Sequence, residues 1–272
     1  MKHERIIPDS NYKNLFFDTY IADEITGLSR DAVIVIPGGG YGEICSEREG
    51  EPIAMAFLPH GYNAFVLNYS VQKDGVTFPG QLIEVSVAIK YIKDHAAEFC
   101  INPERIFVCG FSAGGHLCAS IGTMWHKDEI YEKIDMPFGY NKPTGVMLMY
   151  PVISTKHHEF SFKNMLNKET LTEDDCRMCS IDKNVDSNSS PAFILHTSND
   201  QTVDVRNSLD IAKAYADNNL KFELHIYPDA PHGVALGNKI TECCNPKYNN
   251  PSIAKWIENA VFWASEIKKE GN

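Results

Sequence analysis

The chain predicts an α/β architecture, a mostly parallel central sheet with helices on both faces, because short apolar runs alternate with stretches of helical periodicity along its 272 residues. The first run, Ala32 to Ile36, closes at Pro37 and three glycines, as a strand buried on both faces would. Ala64 to Tyr69, Arg105 to Phe111, Gly145 to Tyr150, Ala192 to Thr197 and Phe222 to Tyr227 read the same way, so six buried strands are expected.

Leu82, Val85, Ile89, Ile92, Ala96 and Phe99 recur at spacings of three and four, which predicts a helix from about Gln81 to Phe99 lying on the sheet. Ile253, Ile257, Ala260, Val261, Ala264 and Ile267 repeat the pattern near the end of the chain, and Val205, Leu209 and Ala212 repeat it more weakly. Residues 154–191 break the alternation. That stretch is polar, with a short helix expected at Phe160 to Leu166, and its length predicts a small lid over the site. With no internal repeat, low-complexity tract or linker, residues 1–272 read as a single domain.

Hydrophobic residues make up 43% of the chain and charged residues 22%, far from the composition of a disordered protein. The net charge of −11 opposes a phosphate backbone, and no Lys/Arg cluster offsets it, so nucleic acid is not an expected partner. No apolar run approaches the roughly 20 residues of a membrane helix, and the first residues do not read as a signal peptide, which predicts a cytoplasmic protein. In that compartment the eight cysteines stay reduced. Cys109 and Cys118 read as small core residues. Cys176-x-x-Cys179 with Cys243-Cys244 offers zinc-ligand chemistry, but structural zinc sites usually take both halves at separations of about two to four residues, so no metal is expected.

Gly110-Phe-Ser-Ala-Gly114 fits G-x-S-x-G at the end of a predicted strand, with small residues opening a helix after it. Such a turn holds a serine exposed at its tip only when its neighbours are small, so Ser112 is the candidate nucleophile. A serine hydroxyl needs a histidine to take its proton and a carboxylate to hold the imidazole, in the chain order serine, acid, histidine. Asp200 follows the strand Ala192 to Thr197 and is the favoured acid; Asp204, the rival, reads as a cap of the next helix. His232 lies in the turn-rich Pro228-Asp-Ala-Pro-His-Gly233 after the last strand. His196 and His225 fall inside strands and read as packed, and His116 as a brace of the serine turn. His157 and His158 sit in the expected lid. Gly39, Gly40 and Ala113 offer backbone N–H donors for an oxyanion.

Pro-Gly-Gly-Gly-Tyr, Gly-Phe-Ser-Ala-Gly-Gly-His, Asn-Asp-Gln-Thr-Val and Pro-His-Gly, in that order, resemble the acetyl-xylan-esterase-like and hormone-sensitive-lipase-like carboxylesterases of the α/β-hydrolase superfamily. The resemblance runs from about Ala32 to the C-terminal helix. It implies a metal-independent serine esterase without a cofactor, with Ser112 as nucleophile, Asp200 as acid, His232 as base, and Gly39, Gly40 and Ala113 around the oxyanion. It also implies a small-molecule ester substrate with a small acyl group, often acetyl on a sugar. Pro37 stands where the lipase-like branch has histidine, which favours the sugar-esterase branch. A glycosidase reading needs two flanking carboxylates; Glu47, Glu49 and Glu51 read instead as a solvated face. Two rivals stay open: an amide hydrolase, formamidase or small peptidase, using the same three residues, and a non-catalytic ligand-binding protein of the same fold.

Overall fold

The computed structural model describes residues 1–243 and 245–267. Among them, eight strands form one sheet: β1 (Arg5–Ile6), β2 (Phe16–Tyr20), β3 (Arg30–Ile36), β4 (Tyr62–Asn68), β5 (Ile101–Phe111), β6 (Gly145–Met149), β7 (Ala192–Thr197) and β8 (Phe222–Tyr227). Their order is β1-β2-β4-β3-β5-β6-β7-β8, antiparallel from β1 to β4 and parallel from β4 to β8.

Alternation along each strand divides the core. Ala32, Ile34 and Ile36 of β3 face one cluster with Val108, Leu148 and Ile194, while Val33 and Val35 face the other with Cys109, Met147 and Phe193. Both sides bury continuous apolar surface, so the central strands read as unbroken hydrophobic runs. The helices are α1 (Ser46–Glu49), α2 (Glu51–Phe57), α3 (Gly80–Asp94), α4 (Ser112–Met124), α5 (Asp128–Tyr131), α6 (Phe160–Leu166), α7 (Glu173–Cys179), α8 (Arg206–Asp217) and α9 (Trp256–Glu266). Apolar side chains of α3, α4, α6 and α8 join the first cluster, and those of α2 and α9 join the second. No helix among the described residues is long and apolar enough to cross a membrane.

Three expectations need correction. Strands β1 and β2 were not foreseen: both are short, and they pair at the sheet's antiparallel edge, where no long apolar run is required. Strand β8 forms but is not buried, because among the described residues only β7 pairs with it and Phe222 and Ile226 remain exposed. His225 of that strand is packed as expected, half-buried with its ring 4.9 Å from that of Phe193, and it also lies 2.6 Å from Glu223. Helix α3 stops at Asp94 rather than Phe99: the His95 ring bonds the Tyr91 carbonyl, and a turn carries Ala96 and Phe99 into the core with the same spacing.

Residues 154–191 contain the expected helix α6 and also α7, whose Thr172 and Asp175 form a reciprocal capping box. Phe162, Met165, Leu166, Cys179 and Ile181 of this segment are buried in the first cluster, so it is anchored as firmly as the elements it connects. Cys109 and Cys118 are fully buried, as core residues. Cys244 of the cysteine cluster lies outside the described residues.

Candidate active site

Each candidate side chain stands just beyond the carboxyl end of a parallel strand: Ser112 after β5, Asp200 after β7, His232 after β8. Open parallel sheets present their loops as a functional edge there. By contrast, a cavity of about 530 Å³ lined by Thr144, Pro191 and Lys221 sits where β6, β7 and β8 begin, at the opposite edge.

Ser112 opens α4 with φ of 53°, a left-handed backbone that a serine adopts only under constraint. The constraint is visible at both flanking glycines. A Cβ on Gly110 would lie 2.2 Å from the Gly114 carbonyl oxygen, and one on Gly114 would lie 2.2 Å from that of Ile36. The turn closes only without those two methyl groups.

The three side chains form a continuous chain of hydrogen bonds. His232 Nδ1 lies 2.7 Å from Asp200 Oδ2, and His232 Nε2 lies 2.8 Å from Ser112 Oγ. A carboxylate oxygen only accepts, so Nδ1 carries the proton and Nε2 accepts from the serine hydroxyl. Asp200 Oδ1 accepts from the backbone N–H groups of Thr202 and Val203 at 2.8 and 3.0 Å. Burial pushes the Asp200 carboxyl up, but hydrogen bonds from His196 and His232 outweigh it and hold it well below the usual carboxylate range. His196 is packed, as expected of a strand histidine, and its Nε2 also lies 3.4 Å from Asp200 Oδ2 behind the acid. The acid and histidine loops are stitched together: Thr197 Oγ1 donates to the Ala230 carbonyl and Asn199 Nδ2 to Asp229.

Asp204 turns away from this array. Its carboxylate accepts from the Arg206 backbone N–H at 2.8 Å and pairs with the Arg206 guanidinium, just ahead of α8.

The glycine loop after β3 approaches Ser112 so closely that a Cβ on Gly38 would lie 2.9 Å from Ser112 Cβ. Gly39 and Gly40 have φ of 126° and 64°, open to glycine at no steric cost. Their N–H groups donate to no acceptor among the described residues. Ala113, second residue of α4, belongs to the first turn, whose N–H groups have no intrahelical acceptor.

Sequence reasoning missed what holds this loop. Glu49, read as part of a solvated face, is buried: its Oε2 accepts from the Gly38 N–H and its Oε1 from the Tyr150 hydroxyl, both at 2.8 Å. Glu47 and Glu51 are exposed, as expected. The Tyr150 oxygen also accepts from the Ala235 N–H, and its ring stands edge-on to His232 with centroids 5.1 Å apart. One carboxylate thus links the glycine loop to the histidine loop. Only the placement of Glu49 on a short helix after the glycines hinted at this. His116, the expected brace, has its Nε2 2.9 Å from the Cys179 carbonyl and its Nδ1 2.8 Å from the Tyr41 hydroxyl. The carbonyl must accept from Nε2, and since burial disfavours the charged ring, Nδ1 is left to accept from the Tyr41 hydroxyl. Burial lowers its pKa to about 4.

A mostly parallel sheet carrying serine, acid and histidine on the loops after its fifth, seventh and eighth strands defines an α/β-hydrolase. Residues 17–215 match the BD-FAE family model, and the chain belongs to that family; residues 180–264 also match the dienelactone hydrolase family. The chain is 36% identical to endo-1,4-beta-xylanase B of Butyrivibrio fibrisolvens over 217 residues, 78% of this chain and 33% of that protein. It is 31% identical to the acetylxylan esterase of Xylanibacter ruminicola over 212 residues, 76% of this chain and 41% of that one. The chain therefore spans between a third and about two fifths of the length of these curated relatives. Among solved structures it resembles the acetyl ester-xyloside bifunctional hydrolase from Caldicellulosiruptor lactoaceticus, with 33% identity, a TM-score of 0.80, and coverage of 93% of this chain and 88% of that one.

Proposed function

We propose that the chain is a serine carboxylesterase that removes short acyl groups, foremost acetyl groups, from sugars. Ser112 Oγ attacks the acyl carbon while its proton passes to His232 Nε2. Asp200 holds the imidazole and stabilises the imidazolium that forms. The carbonyl oxygen, now an oxyanion, takes the N–H groups of Gly39, Gly40 and Ala113. Collapse expels the alcohol, which leaves with the proton from His232. Water then attacks the acyl-enzyme, giving a proton to the same nitrogen; collapse of the second tetrahedral intermediate expels Ser112 Oγ, which takes that proton back from His232, and the carboxylic acid is released.

The observation that carries this reading is the unbroken run from Asp200 through His232 to Ser112, at 2.7 and 2.8 Å, beside two loop N–H groups without acceptors among the described residues. Membership of the BD-FAE family and the names of the acetylxylan esterase relative and the acetyl ester-xyloside hydrolase support the acyl and sugar parts. Acetate release from acetylated sugars and from simple aryl acetates, run beside matched acetamides, tests it. Turnover of the esters with little of the amides is expected. The reverse order points to an amide hydrolase, and inertness on both removes the catalytic reading.

A further inference from the structure

Helix α6 buries Ser161, Phe162, Met165 and Leu166, yet its first residue, Phe160, leaves 64% of its surface in water. A ring so exposed forgoes the burial that ordinarily fixes a phenylalanine in place. Its position is not incidental. The ring edge stands 2.9 Å from where a Cβ on Gly40 would be, directly over one of the two glycines with unpaired N–H groups. The His158 ring is edge-on to it, with centroids 6.4 Å apart, and His158 Nδ1 reaches the carbonyl of Thr202, two residues past Asp200. Asn164, one turn further along α6, donates to the Gly40 carbonyl at 2.9 Å and fixes the helix to the glycine loop. Phe160 therefore stands at the rim of the site, between the oxyanion loop and the acid loop, on a helix that is held.

Other exposed rings lie elsewhere. Phe138 stacks on Tyr131 and meets Trp125, and Phe262 projects from α9.

We infer that Phe160 is a specificity-determining residue that takes the flat face of the ester's alcohol group, a pyranose ring. The inference rests on the esterase reading above and deepens it. The acyl group of a short ester needs only a small enclosed space, whereas an alcohol that is part of a sugar or sugar chain has to leave the site toward solvent. An aromatic face open to water at the rim suits the second partner. The axial C–H bonds of a pyranose present an apolar face to such a ring while its hydroxyls remain hydrated.

The test compares wild type, Phe160→Ala and Phe160→Trp on an acetylated methyl xyloside, its butyrylated counterpart and ethyl acetate, which carries no ring. For Phe160→Ala the KM of the sugar acetate should rise about fivefold to tenfold more than that of ethyl acetate, the effect of one ring contact, with kcat little altered. Phe160→Trp should restore the low KM. Equal effects on sugar ester and ethyl acetate, or a changed preference between acetyl and butyryl on the same xyloside, overturn the inference, because the ring then supports the loop or lines the acyl space. An active wild type whose kinetics are indifferent to the substitution overturns it as well, leaving the esterase reading intact. A wild type inert on all three esters overturns both.

Discussion

At Ser112 the chemistry depends on one atom, and so does the first prediction. Ser112→Ala removes only the hydroxyl and keeps the buried Cβ, so turnover should fall on the order of a million-fold while the thermal transition stays in place. Stoichiometric labelling of that variant by a fluorophosphonate would show that another nucleophile is at work. The two aspartates separate as sharply. Asp200→Asn leaves the imidazole without the acceptor that fixes its tautomer, and kcat should drop by about four orders of magnitude. Asp204→Asn loosens only the contacts with Arg206 and should cost about 1 kcal/mol of stability or less, read from urea unfolding, with kcat preserved. Glu49 makes a third, less obvious case. Glu49→Ala strands the Gly38 N–H and the Tyr150 hydroxyl in a buried place, and the loop that aims the oxyanion donors loses its anchor. We expect kcat to fall about tenfold to a hundredfold with little change in KM, and Glu49→Gln, which keeps one acceptor, to recover part of it. An equal loss in both variants would mean that the charge, not the hydrogen bond to Gly38, is what matters.

Elements explain why some of this was legible in the sequence and some was not. The central strands announce themselves because burial on both faces leaves no room for polar residues, and the serine turn because its two glycines are sterically compulsory. The edge strands β1 and β8 escape or mislead, since a strand paired on one side tolerates polar and exposed positions, and β2, flanked by β1 and β4, is a five-residue run that alternates half-buried and buried positions rather than a continuous apolar one. Glu49 was misread for a related reason: local spacing describes a short helix surface, but whether that surface meets solvent is decided by β6 and the histidine loop, far away in sequence. The steric account can be tested on α4 itself. Gly114→Ala would drive a methyl group against the Ile36 and Pro37 carbonyl oxygens at 2.2 and 2.3 Å, contacts made by backbone that cannot turn aside. Gly122→Ala, two turns along the same helix, would meet the Val146 side chain at 2.7 Å and gain helix propensity. Denaturant unfolding should show a loss of about 3 kcal/mol or more for the first and about 1 to 2 kcal/mol for the second, where a side chain rather than backbone has to give way. Similar losses in both would mean that the elbow is less tightly closed than these contacts require.

Across the protein, the loops of the site are held by groups that must stay neutral or charged for the assembly to persist, and this makes stability depend on pH. His116 is wholly buried between Tyr41 of the glycine loop and the carbonyl of Cys179 at the end of α7. Burial lowers its pKa to about 4, partly opposed by the Cys179 carbonyl, whereas in the unfolded chain the ring returns to its ordinary value of about 6.5. Between these two values the unfolded chain binds a proton that the folded chain does not. Stability therefore rises with pH inside the window and falls on acidification, and above about pH 6.5 the residue adds no further dependence. The slope approaches 1.4 kcal/mol per pH unit, for a total of about 3 kcal/mol. Glu84 works in the opposite sense: burial raises its carboxyl, so the protonated form suits the fold and its contribution is lost as pH rises through the folded value. Comparing a variant with wild type removes that background. His116→Gln keeps a donor for the Cys179 carbonyl and cannot titrate. Urea unfolding of both proteins from about pH 7.5 down to about 4.5 should show wild type losing about 2 to 3 kcal/mol more than the variant. Parallel losses would transfer the pH dependence to other groups, and a steeper loss in the variant would reverse the sign assigned to His116.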